Sequence, residues 1–335
     1  MTDLHDLLSE RDWLLADGAT GTNLFDMGLV SGDAPELWNA DAPEKIRALH
    51  RSFVEAGADI ILTNTFGCNA RRLTLHSASD RVIELNQRAA ELAREEAERA
   101  DRPIVIAGSV GPTGDLLAPL GPLTAGDAED VFAEQIEGLK AGGADIIWIE
   151  TMSAAEEMMA AARAATAAQM PFTLTASFDT AGRTMMGLTP DAFADAMSDA
   201  GAGAAPPAAI GANCGVGASD TLVAIRALGA HGAGIPVISK ANAGVPEIRG
   251  EHVHYSGSPE LMARYACLAR DAGARIIGGC CGTTPVHLAA MRSALEGHTA
   301  AAPPTDDVIT ASTGPFVAPP APAGDDGEAA TRRPR

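Results

Sequence analysis

Aromatic and basic residues are scarce in this chain of 335 residues. Phe, Trp and Tyr make up 4% of the sequence, and 24 Lys and Arg stand against 44 Asp and Glu. The resulting formal charge of −20 repels a phosphate backbone and an anionic lipid surface. We therefore expect no nucleic-acid partner.

Long apolar runs are missing as well. No stretch approaches the roughly 20 apolar residues that a membrane-spanning helix needs. The first residues, MTDLHDLLSERDWLL, carry Asp and Glu where a signal peptide carries basic residues before an apolar stretch. We expect a cytoplasmic protein with no membrane contact.

Cysteine is sparse and odd in number, with 5 residues, of which Cys280 and Cys281 are adjacent. Such a count is a poor basis for a disulfide framework. A metal site or a reactive thiol explains these cysteines better.

Apolar runs typical of buried strands alternate with segments that have helical periodicity. The predicted strands are 13–17, 59–63, 104–107, 145–149, 172–177, 209–212, 236–239 and 275–277. The predicted helices are 43–55, 80–99, 125–141, 154–169, 191–200, 220–230, 259–272 and 285–295.

Glycine-containing turns precede four of these strands, at 56–59, 142–145, 232–235 and 272–275. A glycine that ends a helix and is followed directly by a strand is typical of the turns in parallel α/β proteins. Alternation of eight strands and eight helices predicts a (β/α)8 TIM barrel of class α/β. A doubly wound open sheet is the alternative, but nothing resembling G-x-G-x-x-G follows the first strand.

The composition changes near residue 299. We predict a barrel domain over 1–298 and a tail over 299–335, which is rich in Pro, Ala, Gly and Asp. Such a composition buries too little apolar surface to offset the entropy of ordering. We therefore expect the tail to be disordered, with contacts to the barrel limited to Val308, Ile309, Phe316 and Val317.

Three cysteines follow predicted barrel strands. Cys214 follows the sixth strand, and Cys280 and Cys281 follow the eighth. Reacting groups in a barrel lie at the carboxyl ends of the strands, and three thiolates with an open fourth position suit a catalytic zinc. The alternative is three ordinary buried cysteines, which we also expect for Cys68 and Cys267.

Motifs at these strand ends resemble the homocysteine S-methyltransferase family from residue 12 to residue 296. They are DGATGT at 17–22, TNTF at 63–66, GANC at 211–214 and GCCGT at 279–283. The resemblance implies a (β/α)8 barrel in which Cys214, Cys280 and Cys281 hold Zn²⁺. It also implies homocysteine as the methyl acceptor and methionine as the product.

Homocysteine carries an ammonium and a carboxylate besides its thiol. The resemblance places contacts to the amine on Asp17 and Glu150, which follow the first and fourth predicted strands. From the sequence alone, either carboxylate could equally be structural. The turn at Gly18, Ala19 and Thr20 offers backbone N–H groups that suit a carboxylate, and it could equally be a tight turn.

Further side chains follow the seventh predicted strand. The resemblance makes Asn242 a transient zinc ligand when homocysteine is absent. His252 and His254 have the spacing of metal ligands, but we expect them to be solvated or hydrogen-bonded residues of a loop.

The resemblance leaves the methyl donor open. Bacterial members that resemble this chain along its length are betaine–homocysteine methyltransferases, which favours betaine. Animal betaine enzymes have tyrosines where this chain has Gly67 and Thr151, so Phe25, Trp38 and Phe66 are the candidates for binding a quaternary ammonium. Methylcobalamin from a separate corrinoid protein is the second candidate donor, and S-methylmethionine the third.

A non-enzymatic alternative is a zinc-storing or redox-sensing barrel whose cysteines report oxidation. Asp17 and Glu150 argue against it, because a sensor has no use for paired carboxylates beside its metal.

Overall fold

A computed structural model describes residues 2–198, 203–232, 234–249 and 252–317. Within these residues the strands are β1 (Leu14–Leu15), β2 (Ile60–Leu62), β3 (Val105–Val110), β4 (Ile146–Met152), β5 (Phe172–Ala176), β6 (Ala209–Cys214), β7 (Val237–Ala241), β8 (Pro246–Arg249), β9 (His252–Tyr255) and β10 (Ala274–Gly279). The helices are α1 (Leu4–Glu10), α2 (Gly21–Asp26), α3 (Trp38–Asp41), α4 (Pro43–Glu55), α5 (Ala70–Leu73), α6 (Val82–Ala97), α7 (Ala125–Ala141), α8 (Ala155–Ala167), α9 (Pro190–Ser198), α10 (Ala218–His231), α11 (Pro259–Asp271), α12 (Pro285–Glu296) and α13 (Asp306–Thr313). None of the described helices is long and apolar enough to cross a bilayer.

The eight predicted strands form one parallel sheet in the order β1-β10-β7-β6-β5-β4-β3-β2. A parallel bridge between Ala16 and Ile60 joins its two outer strands, and the Asp59 N–H donates to the Leu15 carbonyl over 2.7 Å. The sheet is therefore rolled into a barrel. This confirms the predicted (β/α)8 fold and excludes the doubly wound sheet.

The barrel interior is apolar toward its amino-terminal end. Alternate residues of the strands point inward and form one buried cluster around Trp148, Ile238 and Ile276. Helix α1 adds Leu4, Leu7 and Leu8 to this cluster and so closes that end of the barrel. The interior is thus filled by side chains, as in other TIM barrels.

The predicted glycine turns position the strand starts. Gly57 and Gly143 adopt left-handed φ angles of 103° and 85°, which suit glycine. Asp59 and Asp145 follow, and their carboxylates accept from the backbone N–H groups of Leu15 and Ile106 at 2.9 Å each. Both carboxylates thereby tie neighbouring strands together at the amino-terminal end of the barrel.

The segment between β7 and α11 corrects one prediction. Where a loop was expected, β8 and β9 form an antiparallel hairpin in which Glu247 pairs with His254 and Arg249 pairs with His252. Each of these four-residue strands has one aliphatic residue, so the pattern resembled a loop. The described hairpin ends at Tyr255, beside the cysteine motif.

The predicted tail needs a second correction. Helix α13 packs on the barrel with Ile309 fully buried, and Ser219 hydrogen bonds with Thr313 over 3.0 Å. Arg226 forms an ion pair with Asp306 at 2.6 Å. Averaging the composition over the whole tail hid this short amphipathic segment. Residues 318–335 of the predicted tail lie outside the described residues.

Replacing Ile309 with alanine should release α13 while leaving the barrel intact. Loss of a buried isoleucine side chain costs about 2–5 kcal/mol, which we expect to appear as easier local opening. Hydrogen exchange should become faster over residues 305–314 and stay unchanged in the strands. Val308→Ala is the matched control because Val308 is 45% exposed. Equal exchange in both variants would contradict the packing of α13.

Candidate active site

A polar layer lies above the apolar interior, at the carboxyl ends of the strands. Each of its side chains lies an even number of positions beyond an inward-facing residue of its own strand, so it faces the interior as well. All of them are buried. They are Ser109 of β3, Glu150 of β4, Thr175 of β5, Asn213 of β6 and Lys240 of β7.

The three predicted sulfurs meet above this layer. The Sγ atoms of Cys214, Cys280 and Cys281 all lie within 4.8 Å of one another. Among the described residues, these three are the group whose ligand atoms lie close enough together to hold a metal ion. Cys214 ends β6 with a left-handed φ of 62°, which is uncommon for a residue with a side chain. Because of this conformation, the regular alternation of side chains along β6 ends at Cys214, whose sulfur lies beside the other two.

Each sulfur has a side-chain hydrogen-bond donor beside it. Asn242 Nδ2 lies 3.7 Å from Cys214 Sγ, and Asn213 Nδ2 lies 3.8 Å from Cys280 Sγ. The Tyr255 hydroxyl hydrogen bonds with Cys281. Sequence analysis identified Asn242 as a site residue but missed the other two donors.

Asn213 organises the neighbouring strand ends. Its Oδ1 accepts from the Thr151 N–H at 2.8 Å and from the Thr175 hydroxyl at 2.7 Å. Its Nδ2 also donates to the Thr151 hydroxyl at 2.7 Å. Thr151 has a left-handed φ of 62°. The Asn213 side chain therefore holds Thr151 in an uncommon backbone conformation and also faces a cysteine sulfur. The GANC motif was the sequence signal for this residue.

The chemistry of the cluster fits a soft divalent cation. Hydrogen bonding to the Cys214 sulfur, together with burial, raises the pKa of the Cys281 thiol to about 11. By themselves these thiols are protonated at neutral pH, whereas a coordinated thiol loses its proton. Three sulfurs with an open fourth position suit zinc. Cys68 is fully buried elsewhere and Cys267 lies on α11, so neither belongs to the cluster.

Asp17, Glu150 and Lys240 form a buried charged group beside the sulfurs. Lys240 Nζ donates to Asp17 Oδ1 at 2.8 Å, and both side chains are 2% exposed. Asp17 Oδ2 accepts from the Leu62 N–H at 2.7 Å. The Ser109 hydroxyl donates to Glu150 over 2.5 Å. The two predicted carboxylates therefore lie in one buried layer with a lysine that sequence analysis did not single out.

Burial and pairing act in opposite directions on these groups. Burial raises the pKa of Asp17 and of Glu150, and the charge of Lys240 opposes both shifts. Burial also works to lower the pKa of Lys240, but attraction by the two carboxylates outweighs it and holds that pKa above its ordinary value. The lysine therefore stays charged.

The predicted carboxylate-binding turn is closely packed. A Cβ atom at Gly18 would lie 2.6 Å from the Thr283 carbonyl oxygen, so only glycine fits there. The Ala19 N–H donates to that same carbonyl at 3.1 Å and is thus already paired. Thr20 precedes α2 as its N-cap residue.

The aromatic candidates for donor binding do not form an open cage. Lys45 Nζ lies 4.1 Å from the centre of the Trp38 ring, and the Arg72 guanidinium lies 5.5 Å from that of Phe66. Phe25 is 48% exposed on α2. Cations of the chain itself therefore occupy the faces that a quaternary ammonium would use.

Comparison with known proteins agrees with this geometry. The family described as "Homocysteine S-methyltransferase" matches residues 14–295. Methionine synthases of Mycobacterium tuberculosis and Mycobacterium leprae are 34% and 33% identical over 310 residues, which cover 88% of this chain. The chain spans 25% of the length of these two relatives.

Solved structures of the homocysteine methyltransferase MmuM from Escherichia coli are similar over almost their whole length. The oxidised form is 25% identical with a TM-score of 0.72, covering 88% of this chain and 99% of MmuM. The metallated form is 27% identical with a TM-score of 0.71, covering 87% and 99%. Sequence and fold agree over the barrel, and the chain belongs to the homocysteine S-methyltransferase family.

Proposed function

We propose that this protein is a zinc-dependent methyltransferase that forms methionine from homocysteine. The observation that supports it best is the cluster of three sulfurs, each with its own hydrogen-bond donor, beside a buried layer with two carboxylates. A sensor of oxidation would need the sulfurs alone. An amino-acid thiol needs both parts of the site.

Cys214, Cys280 and Cys281 would hold the zinc. When bound, zinc supplies the Lewis acidity that turns a coordinated thiol into a thiolate at neutral pH. Asn242, Asn213 and Tyr255 donate toward the cysteine sulfurs, and such outer contacts orient metal ligands. Asn242 also accepts from the Cys281 N–H at 3.0 Å and donates to the Gly215 carbonyl at 2.8 Å, so its amide joins both cysteine loops.

Glu150 and Asp17 form the acidic wall that would take the substrate ammonium. Glu150 is 8% exposed against 2% for Asp17, and the resolved hydrogen bond from Ser109 engages one of its carboxylate oxygens. The turn at Gly18, Ala19 and Thr20 would lie by the substrate carboxylate. Bound in this way, the amino acid would direct its thiol toward the three sulfurs and so orient it for attack on a methyl group.

The methyl donor that we propose is betaine, supported by the resemblance to bacterial betaine–homocysteine methyltransferases. Because Lys45 and Arg72 cover the rings of Trp38 and Phe66, a quaternary ammonium would have to displace them. A Cβ atom at Gly67 would lie 2.8 Å from Glu36 Oε1, so a tyrosine there would require the Glu36 side chain to move. The similarity to proteins named methionine synthase supports the second candidate, methylcobalamin delivered by a corrinoid protein.

Methionine formation tests the function directly. The zinc-loaded protein should convert homocysteine to methionine with betaine, and parallel assays supply a methylated corrinoid protein or S-methylmethionine. Turnover with one of the latter two would replace the proposed donor and keep the proposed acceptor. Absence of methionine with all three donors would overturn the proposed function.

Replacing Cys280 or Cys281 with alanine should abolish zinc binding and turnover. Two sulfurs cannot supply the three protein ligands of the proposed site. The barrel should still fold, because its core lies away from this mouth, and circular dichroism should show an unchanged fold. Elemental analysis measures the zinc content. Cys267→Ala is the matched control, and zinc retention in all three variants would rule out the proposed ligand set.

The variant Glu150→Gln separates amine binding from metal binding. A charge-assisted hydrogen bond contributes roughly 1.5–3 kcal/mol, so homocysteine affinity should fall by about 10- to 150-fold. Zinc content and the affinity for propane-1-thiol, which has no ammonium, should not change. Calorimetric titration with both thiols measures the effect. Equal weakening of both would show that Glu150 supports the metal site or the fold instead.

A further inference from the structure

Lys240 is a buried lysine inside the barrel, where its ammonium lies among groups of the proposed substrate pocket. Its side chain is 2% exposed, and Nζ is 2.8 Å from Asp17 Oδ1. The same atom lies 5.7 Å from the centre of the Trp148 ring, which forms the apolar floor below. The lysine therefore sits between the apolar interior and the site.

A single strand separates this lysine from Asp17. Strand β10 lies between β1 and β7, and its residue in register with Lys240 is Gly278. A Cβ atom at Gly278 would lie 2.8 Å from the Ala16 carbonyl oxygen. A glycine at this register therefore lets β10 lie close to the backbone that leads into Asp17.

Stability alone gives little reason for such a pair. Removing two charges from water is costly, and well-packed apolar residues often replace a buried ion pair without loss of stability. Charged groups with shifted pKa values in a cleft are instead typical of functional sites. The pair must therefore be considered together with Glu150, whose electrostatic environment includes both Lys240 and Asp17.

We propose that Lys240 is a specificity-determining residue that sets the charge of the amino-acid pocket. By pairing with Asp17 it offsets one carboxylate of the acidic wall, so that Glu150 supplies the unpaired negative charge that faces the substrate ammonium. With both carboxyls ionised, Lys240 lowers the net charge of the three groups from two negative charges to one, which reduces the advantage that a thiol carrying an ammonium alone has over a zwitterionic amino acid. This inference rests on the proposed function, because it assumes an amino-acid thiol as substrate.

Two ligands that differ in one charge test the inference. Homocysteine carries an ammonium and a carboxylate, whereas 3-aminopropane-1-thiol carries the ammonium alone. Calorimetric titration of the zinc-loaded protein gives the ratio of their dissociation constants. At a mildly alkaline pH that keeps Asp17 and Glu150 ionised, Lys240→Met makes the pocket more negative, and the ratio should shift toward the aminothiol by at least about tenfold, given the strength of charge interactions at partly buried sites. Asp17→Asn should shift it the opposite way.

Restoring the charge should restore the preference. The double variant Asp17→Asn with Lys240→Met has the original net charge and should have a ratio close to that of the wild type, as should Lys240→Arg. Lys140→Met is the control, since Lys140 is exposed on α7 and donates to the Ala168 carbonyl. Zinc content, measured by elemental analysis, should be the same in all variants.

The outcomes separate this inference from the proposed function. If Lys240→Met weakens both ligands by the same factor, or if the double variant keeps a shifted ratio, Lys240 has a structural role and the inference is wrong. If Lys240→Met does not fold, the comparison of Asp17→Asn with the double variant still tests the inference, because the inference requires these two proteins to have different ratios of dissociation constants. If the wild type binds neither ligand, the proposed function itself fails.

Discussion

Charged and polar groups at the carboxyl end of the barrel are buried, and each of them requires a partner. Lys240 pairs with Asp17, Ser109 donates to Glu150, and Asn213 faces a cysteine sulfur. An unpaired charge in such a place is far more costly than a paired one. Each buried group is therefore satisfied by a neighbour, and these pairs place the acidic wall beside the sulfur cluster.

The contacts that stabilise the barrel lie at the amino-terminal ends of its strands, whereas the groups of the candidate site lie at the carboxyl ends. Its amino-terminal half is filled by apolar side chains around Trp148 and closed by α1. Asp59 and Asp145 tie adjacent strands together at that end. Because these contacts hold the strands in place, their opposite ends can carry the unusual backbone of Thr151 and Cys214. The strained positions lie where the sulfurs and the polar layer meet.

Some of the site could be predicted from the sequence because its signals are local. Cys214, Cys280 and Cys281 follow apolar runs directly, so the barrel pattern alone places them at one mouth. The hairpin β8–β9 and helix α13 gave weaker signals, since each is short and has few apolar residues. Helix α13 is ordered by packing against the barrel, as the complete burial of Ile309 shows.

The sequence by itself determined the alternation of strands and helices, the left-handed glycine turns and the positions of the three sulfurs. Each of these follows from hydrophobic periodicity or from the conformational freedom of glycine over a few neighbouring residues. Only the tertiary structure decided the partners of the buried polar side chains. Lys240 and Asp17 are 223 positions apart, and they can pair because the sheet brings the ends of β1 and β7 to within one strand of each other.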